Sequence, residues 1–331
     1  GNFDGSNILF RPRSDKEVSD YLGINVEEIL QIVEESKYKL KAVRDSRIPP
    51  NTDTKIITSW NGLMIKSLSK ASVLFKRPDY LDAAIKNARF ILENMSEQNR
   101  LLRICNNGGS KLLGYLEDYA CFINGIMCLY EVTLNVYWLD TAQRLSDEMI
   151  DLFWDDTENM FYDIGQDHEK LLVRPRDIGD GAMPCGGSMA SYILARLSVF
   201  TGEDKYQDKA ILNIESVGSY IFNSPQGAGN WLASVDFVFG ERLEVAIIGS
   251  LDSHETHQML ATINSFYLPN MILVAQDPKS VITSINIPTL THKVMIDGHS
   301  TVYLCREYVC EKPVINIEQL SYQIENRSWM K

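Results

Sequence analysis

At 331 residues, with 45% apolar and 23% charged side chains, the chain reads as a soluble globular protein with enough length to bury a large core. A formal net charge of −12, with no basic stripe, speaks against a nucleic-acid or anionic-membrane partner. No apolar run approaches the roughly 20 residues of a membrane span.

Residues 1–24 carry turn residues and little periodicity and read as an extended lead-in. The chain starts at Gly1 with neither a Met nor a signal-like segment, so it reads as cut from something longer and its compartment is not legible. A helix is expected from the Asn25 cap, with Glu27 and Glu28 at its positive end and an apolar stripe through Val26, Ile29, Leu30 and Val33. Arg44 to Arg47 end it, and Pro49-Pro50 prevent continuation.

From Thr58-Ser59-Trp60-Asn61-Gly62 onward the charges alternate between windows of sixteen residues. Window 60–75 holds two charges, and windows 119–134 and 187–202 hold one each. The windows that follow them, 79–94, 137–152 and 204–219, hold five each. A helix apolar nearly all round must be covered on most faces, whereas a helix with a polar stripe lies at the surface. The pattern predicts a degenerate repeat of roughly 60 residues, each unit an inner and an outer helix. Short apolar runs around polar turns link the units: Leu101 to Cys105 with Lys111 to Leu113 around Asn106-Asn107-Gly108-Gly109, and Met160 to Tyr162 with Leu171 to Val173. These read as β-hairpins rimming the N-terminal ends of the inner helices.

Past Phe222 the segments Asn230 to Ala233 and Phe237 to Phe239 read as extended. A strand at Leu243 to Gly249, a helix at Ser253 to Phe266 and a strand at Met271 to Val274 form one βαβ unit, with a further strand from Thr301 to Cys305. No G-x-G-x-x-G follows the first strand, so no dinucleotide cofactor is expected, and no other cofactor is indicated. His254 and His257 lack a third ligand, so no metal site is expected. The six cysteines read as buried free thiols, with a Cys305–Cys310 pair as the lesser alternative. The expected division is therefore 1–24 lead-in, 25–225 helical-hairpin segment, and 226–331 strand-rich C-terminal portion.

If the inner helices start at one rim, Trp60, Asn61, Glu117, Asp118, Tyr119, Asp180 and Ser188 gather there. Aromatic faces with carboxylates, an amide and a hydroxyl suit a sugar or polyol. Acid–base chemistry on a sugar needs two carboxyl groups roughly 5–9.5 Å apart. Glu117 or Asp118 paired with Asp180, or with Asp53, are the candidates for catalysis, with Trp60, Asn61, Tyr119 and Ser188 for binding. The plainer readings are first-turn helix charges for Glu117 and Asp118, an N-cap for Ser188, core for Trp60 and turn chemistry for Asp180.

The blocks Thr58 to Ile65, Leu116-Glu117-Asp118-Tyr119-Ala120, Arg174-Pro175 through Ala182, Leu152 to Asp155, and Tyr303 to Val314 resemble the spermatogenesis-associated protein 20 family of thioredoxin-domain-containing proteins. The resemblance runs along essentially the whole chain. It implies a mainly α fold: part of an (α/α)6 toroid, similar to those of N-acylglucosamine 2-epimerases and six-hairpin glycosidases, with β-hairpin connections and a small C-terminal α/β element. It also implies a thioredoxin-like domain and earlier hairpins outside this chain. The family's Ser-Gly-Asn-Ser ahead of an inner helix reads Cys185-Gly186-Gly187-Ser188 here. No histidine marks an inner-helix start, so epimerase chemistry is not expected. The implied function is carbohydrate binding or modification, with a non-catalytic interaction scaffold as the alternative.

Overall fold

The structure, a computed structural model, describes residues 1–5, 7–279, 286–307 and 309–326. It divides into two units, Gly1–Thr54 and Lys55–Lys331. The first unit holds two helices, α1 (Asp15–Leu22) and α2 (Val26–Asp45). The expectation of an extended lead-in over 1–24 fails at α1. Ser14 accepts from the Glu17 amide while the Glu17 carboxylate takes the Ser14 amide at 2.7 Å, a capping box that starts a helix. Gly23, at φ 69°, ends α1 in the left-handed region, and Asn25 then caps α2 by accepting from the Glu28 amide.

The second unit opens with β1 (Ile56–Ile57), then α3 (Thr58–Leu74) and α4 (Pro78–Asn94). Next come β2 (Ser96–Glu97), β3 (Arg100–Asn106) and β4 (Gly109–Leu113), followed by α5 (Leu116–Thr133) and α6 (Val136–Phe153). The short strands β5 (Trp154–Asp155) and β6 (Met160–Phe161) lead to α7 (Gly186–Thr201), α8 (Asp204–Glu215), α9 (Gly218–Asn223) and α10 (Gly229–Phe239). The inner helices pack in series, α3 on α5, α5 on α7, α7 on α10, with α4, α6 and α8 behind them. This is the partial (α/α) toroid, built from helical hairpins with small sheets between.

Burial follows the charge pattern. α5 and α7 each bury 15 residues, against eight in α6 and four in α8. α3 departs from it: with only α4 and α5 as major helical neighbours in this unit, it leaves Trp60, Met64 and Leu74 exposed. Two glycines let α3 and α5 touch backbone to backbone. A Cβ on Gly62 would lie 2.5 Å from the Cys121 carbonyl, and one on Gly125 2.6 Å from the Gly62 oxygen.

The first expected β-hairpin forms, with Leu102 opposite Leu113 and Cys105 opposite Ser110, and β1 adds to β3 through Ile56 opposite Cys105. The second differs. β6 pairs with β5, Trp154 opposite Phe161, while Leu171 to Val173 are exposed and form no strand. The chain from Asp163 to Met183 is an irregular loop, tied down where the Asp163 amide donates to the Pro175 carbonyl and the Arg174 guanidinium donates to the Ile164 and Leu152 carbonyls.

Residues 230–239 are helical rather than extended. They pack on α7 and bury Trp231 and Phe237, and a short apolar run of that kind has no period by which to tell strand from helix. The C-terminal portion completes the βαβ unit with β7 (Leu243–Ile248), α11 (His254–Asn264) and β8 (Met271–Gln276), the two strands parallel from Leu243 opposite Met271. β9 (Thr301–Arg306) lies antiparallel to β7, β10 (Val309–Cys310) flanks β9, and α12 (Ile317–Glu325) packs on α11. Cys305 and Cys310 sit opposite each other on β9 and β10 and are joined by a disulfide, correcting the reading of six free thiols. Cys105, Cys121, Cys128 and Cys185 remain free.

Candidate functional site

The N-terminal ends of α3, α5, α7 and α10 are knitted together by two carboxylates. Asp118, fully buried in the first turn of α5, accepts from the Ser59 amide at 3.0 Å, the Tyr115 amide at 2.9 Å and the Arg103 guanidinium at 2.9 Å. One side chain thus ties the starts of α3 and α5 to β3. Burial pushes its carboxyl above the ordinary range, and Arg103 opposes that push.

Asp180 does the same for the next pair. Its Oδ1 accepts from the Cys185 amide at 3.0 Å and the Ser188 hydroxyl at 2.7 Å. Its Oδ2 accepts from the Asn230 and Trp231 amides at 2.8 and 3.1 Å. It therefore braces the start of α7 through its cap residue and bonds the first-turn amides of α10, where both helix dipoles favour a negative charge. Ser188 is fully buried at the third position of α7, the cap itself being Cys185. Gly186 permits this crowding: a Cβ there would lie 3.0 Å from the Glu117 amide.

Tyr119 is also fully buried. Its hydroxyl donates to the Glu148 carboxylate and accepts from the Leu101 amide, so it packs in the core behind the rim. Asn61 donates to the Ile57 carbonyl at 2.8 Å and accepts from Asn87 at 2.9 Å. Asp53 belongs to the first unit. Two of the expected residues remain available at the surface. Trp60 is 58% exposed, and Glu117 keeps a partly exposed carboxylate that Arg103 holds at 2.7 Å. The Arg103 guanidinium carbon lies 4.4 Å from the centre of the Tyr115 ring, at cation–π distance.

One carboxyl that sequence reasoning missed lies at the start of α5. The Asp163 carbonyl accepts from the Leu116 amide at 2.9 Å, placing Asp163 against the first residue of α5, next to Glu117. Its Oδ2 accepts from the Asp177 amide at 2.7 Å. Burial, with the Asp177 and Glu117 charges nearby, pushes the Asp163 carboxyl up to about 6 despite the Asp177 amide and Arg176. The only local signal was its position directly after the second hairpin strand. Glu117 and Asp163 are thus two carboxyl groups in opposite settings, one ion-paired to a guanidinium and the other driven toward its neutral form. Among the described residues no group of three or more His, Cys, Asp or Glu side chains is arranged to hold a metal ion, and no helix is long and apolar enough to cross a membrane.

No family model matches the sequence. The chain is 26% identical over 330 residues to human spermatogenesis-associated protein 20, an overlap of 95% of this chain and 42% of that protein. The mouse protein of the same name is likewise 26% identical, over 95% of this chain and 41% of its own length. An uncharacterized protein of Caenorhabditis elegans is 26% identical over 329 residues, 97% of this chain and 44% of its own. The chain thus spans less than half the length of the curated relatives it matches. Among solved structures, the cellobiose 2-epimerase of Spirochaeta thermophila is similar with a TM-score of 0.47 and 15% identity, over 58% of this chain and 56% of that one. A GH76 α-mannanase of Bacteroides thetaiotaomicron is similar with a TM-score of 0.42 and 16% identity, over 60% of each chain.

Proposed function

We propose that this spermatogenesis-associated protein 20-like chain handles a carbohydrate at the rim where α3 and α5 begin, with Asp163 and Glu117 as its acid and base and Trp60 as its stacking face. The observation that carries this reading is the pair of carboxyls at the α5 start, one ion-paired to Arg103 and one raised by burial, with an exposed indole at the start of α3, which the Ser59–Asp118 hydrogen bond ties to α5. A carboxyl titrating near 6 keeps its proton long enough to protonate a glycosidic oxygen. Glu117, paired with Arg103, is then the carboxyl that activates water or takes the anomeric carbon. An aromatic face half open to solvent offers a sugar ring an apolar surface. On this reading Asp118, Asp180, Tyr119, Asn61 and Ser188 support the site from behind.

A second reading has its own observation. Both buried or bridging carboxylates, Asp118 and Asp180, bond to amides at helix starts, the pattern of a scaffold braced for stability. The chain would then present a surface, and any chemistry would belong to other parts of a longer protein.

Calorimetric titration with mono- and disaccharides separates the two. The carbohydrate reading expects saturable binding that Trp60→Ala weakens by about tenfold or more, from lost stacking. Asp163→Asn and Glu117→Gln should keep binding and lose turnover. A flat response across the sugars favours the scaffold.

A further inference from the structure

Away from the rim, α3, α5 and α7 and the segment from Asn264 to Met271 line a solvent-open cavity of about 410 Å³. That is within the range of small-molecule sites, roughly 300–1,000 Å³. At its base is a buried ion pair, the Arg196 guanidinium donating to Glu131 Oε1 at 2.7 Å. Glu131 Oε2 is left with Lys70, whose Nζ stands 3.9 Å away, the far limit of an ion pair. Lys66 lies one turn before Lys70 on the same face of α3. Its ammonium is 5.6 Å from the centre of the Tyr192 ring and, among the described residues, meets no carboxylate at ion-pair distance. Asn124, at the rimward end, spends its amide hydrogen on the thioether of Met189.

Three cations therefore face one carboxylate, three minus one leaving a surplus of two positive charges, in a chain whose net charge is −12. Local charge of this sign draws in anions. Most of the remaining wall is apolar, including Leu74, Met127, Phe266 and Leu268, with Asn264 and Tyr267 as polar exceptions. We infer that this cavity binds a small organic anion: an apolar or aromatic body against those walls, its carboxylate or phosphate head on Lys66 and Lys70. This site is separate from the rim. Glu131 follows Glu117 by fourteen residues on α5, about 21 Å along the helix axis at about 1.5 Å per residue. It does not depend on the carbohydrate reading.

The test is calorimetric titration of the full chain with benzoate, phenyl phosphate, inorganic phosphate and benzylamine at low salt. One of the two aromatic anions should bind at a single site, and which binds tighter tells whether the head is a carboxylate or a phosphate. Benzylamine, of like shape and opposite charge, should not bind, and inorganic phosphate should bind more weakly than phenyl phosphate. Lys66→Gln and Lys70→Gln should each weaken the aromatic anion by about tenfold, the loss of one charge-assisted hydrogen bond. Both side chains are partly or largely exposed, so these variants should unfold at unchanged denaturant concentrations. No binding of either aromatic anion, equal binding of benzylamine, or full affinity in the Lys66→Gln, Lys70→Gln double variant would each overturn the assignment.

Discussion

Replacing Asp163 by Asn should stabilise the protein at neutral pH and leave it nearly unchanged in acid. The Asp163 carboxyl is raised from its ordinary 3.8 to about 6, with burial as the largest cause. A group whose native proton affinity exceeds its unfolded one makes the native state bind more protons between those two values. Stability then falls as pH rises through that window, and above it the native state holds a charge in a poor environment. A shift of about two units corresponds to about 3 kcal/mol at most. The carboxyl is partly open to solvent, so about 1–2 kcal/mol is the expected size after screening. Asn keeps an acceptor for the Asp177 amide and never ionises. Urea unfolding of the native chain and Asp163→Asn, compared from pH 4 to pH 8, should show the variant gaining about 1–2 kcal/mol relative to the parent across that range, mostly between about 4 and 6. A difference independent of pH, or a variant that loses stability as pH rises, would refute the placement of Asp163.

Asp180→Ala should cost about 2–4 kcal/mol in urea unfolding, since it removes four hydrogen bonds that bridge the starts of α7 and α10; a loss below about 0.5 kcal/mol, ordinary for a surface change, would contradict that bridge. Gly62→Ala should destabilise by about 1–3 kcal/mol or more, because its methyl group would overlap the Cys121 backbone at 2.5 Å. A thermal melt that matches the parent would mean that α3 and α5 lie farther apart. Alkylation of the unfolded, unreduced protein should modify four cysteines and leave Cys305 and Cys310 linked; mass spectrometry finding all six modified would remove the disulfide.

The helix pairs were legible because an outer helix must meet water on one face, and the five-charge windows over 79–94, 137–152 and 204–219 record that requirement. The first β-hairpin was legible because its Asn/Gly turn is local chemistry. α10 was not, since a short run buried against α7 carries no polar face to mark a phase. α1 was overlooked although Ser14 and Glu17 stand at capping-box spacing. The site residues divided along the same line. The exposure of Trp60 and the Arg103–Glu117 pair depend on which strands and helices adjoin, and Asp163 reaches the start of α5 only through a carbonyl 47 residues further along the chain, 163 minus 116. Asp180 likewise acts on amides about fifty residues away, at Asn230 and Trp231. Contacts of that span leave no local pattern. Cys305 and Cys310 became a pair only once β9 and β10 set them in register.

A crystal of the protein soaked with a disaccharide tests the roles of the two carboxyls and the indole most directly. The expected density is a sugar ring against Trp60, with the glycosidic oxygen within hydrogen-bond reach of Asp163 and the Glu117 carboxyl on the opposite side, the two carboxyls about 5–9.5 Å apart. A sugar bound elsewhere, or Glu117 and Asp163 turned away from a shared opening, would contradict it.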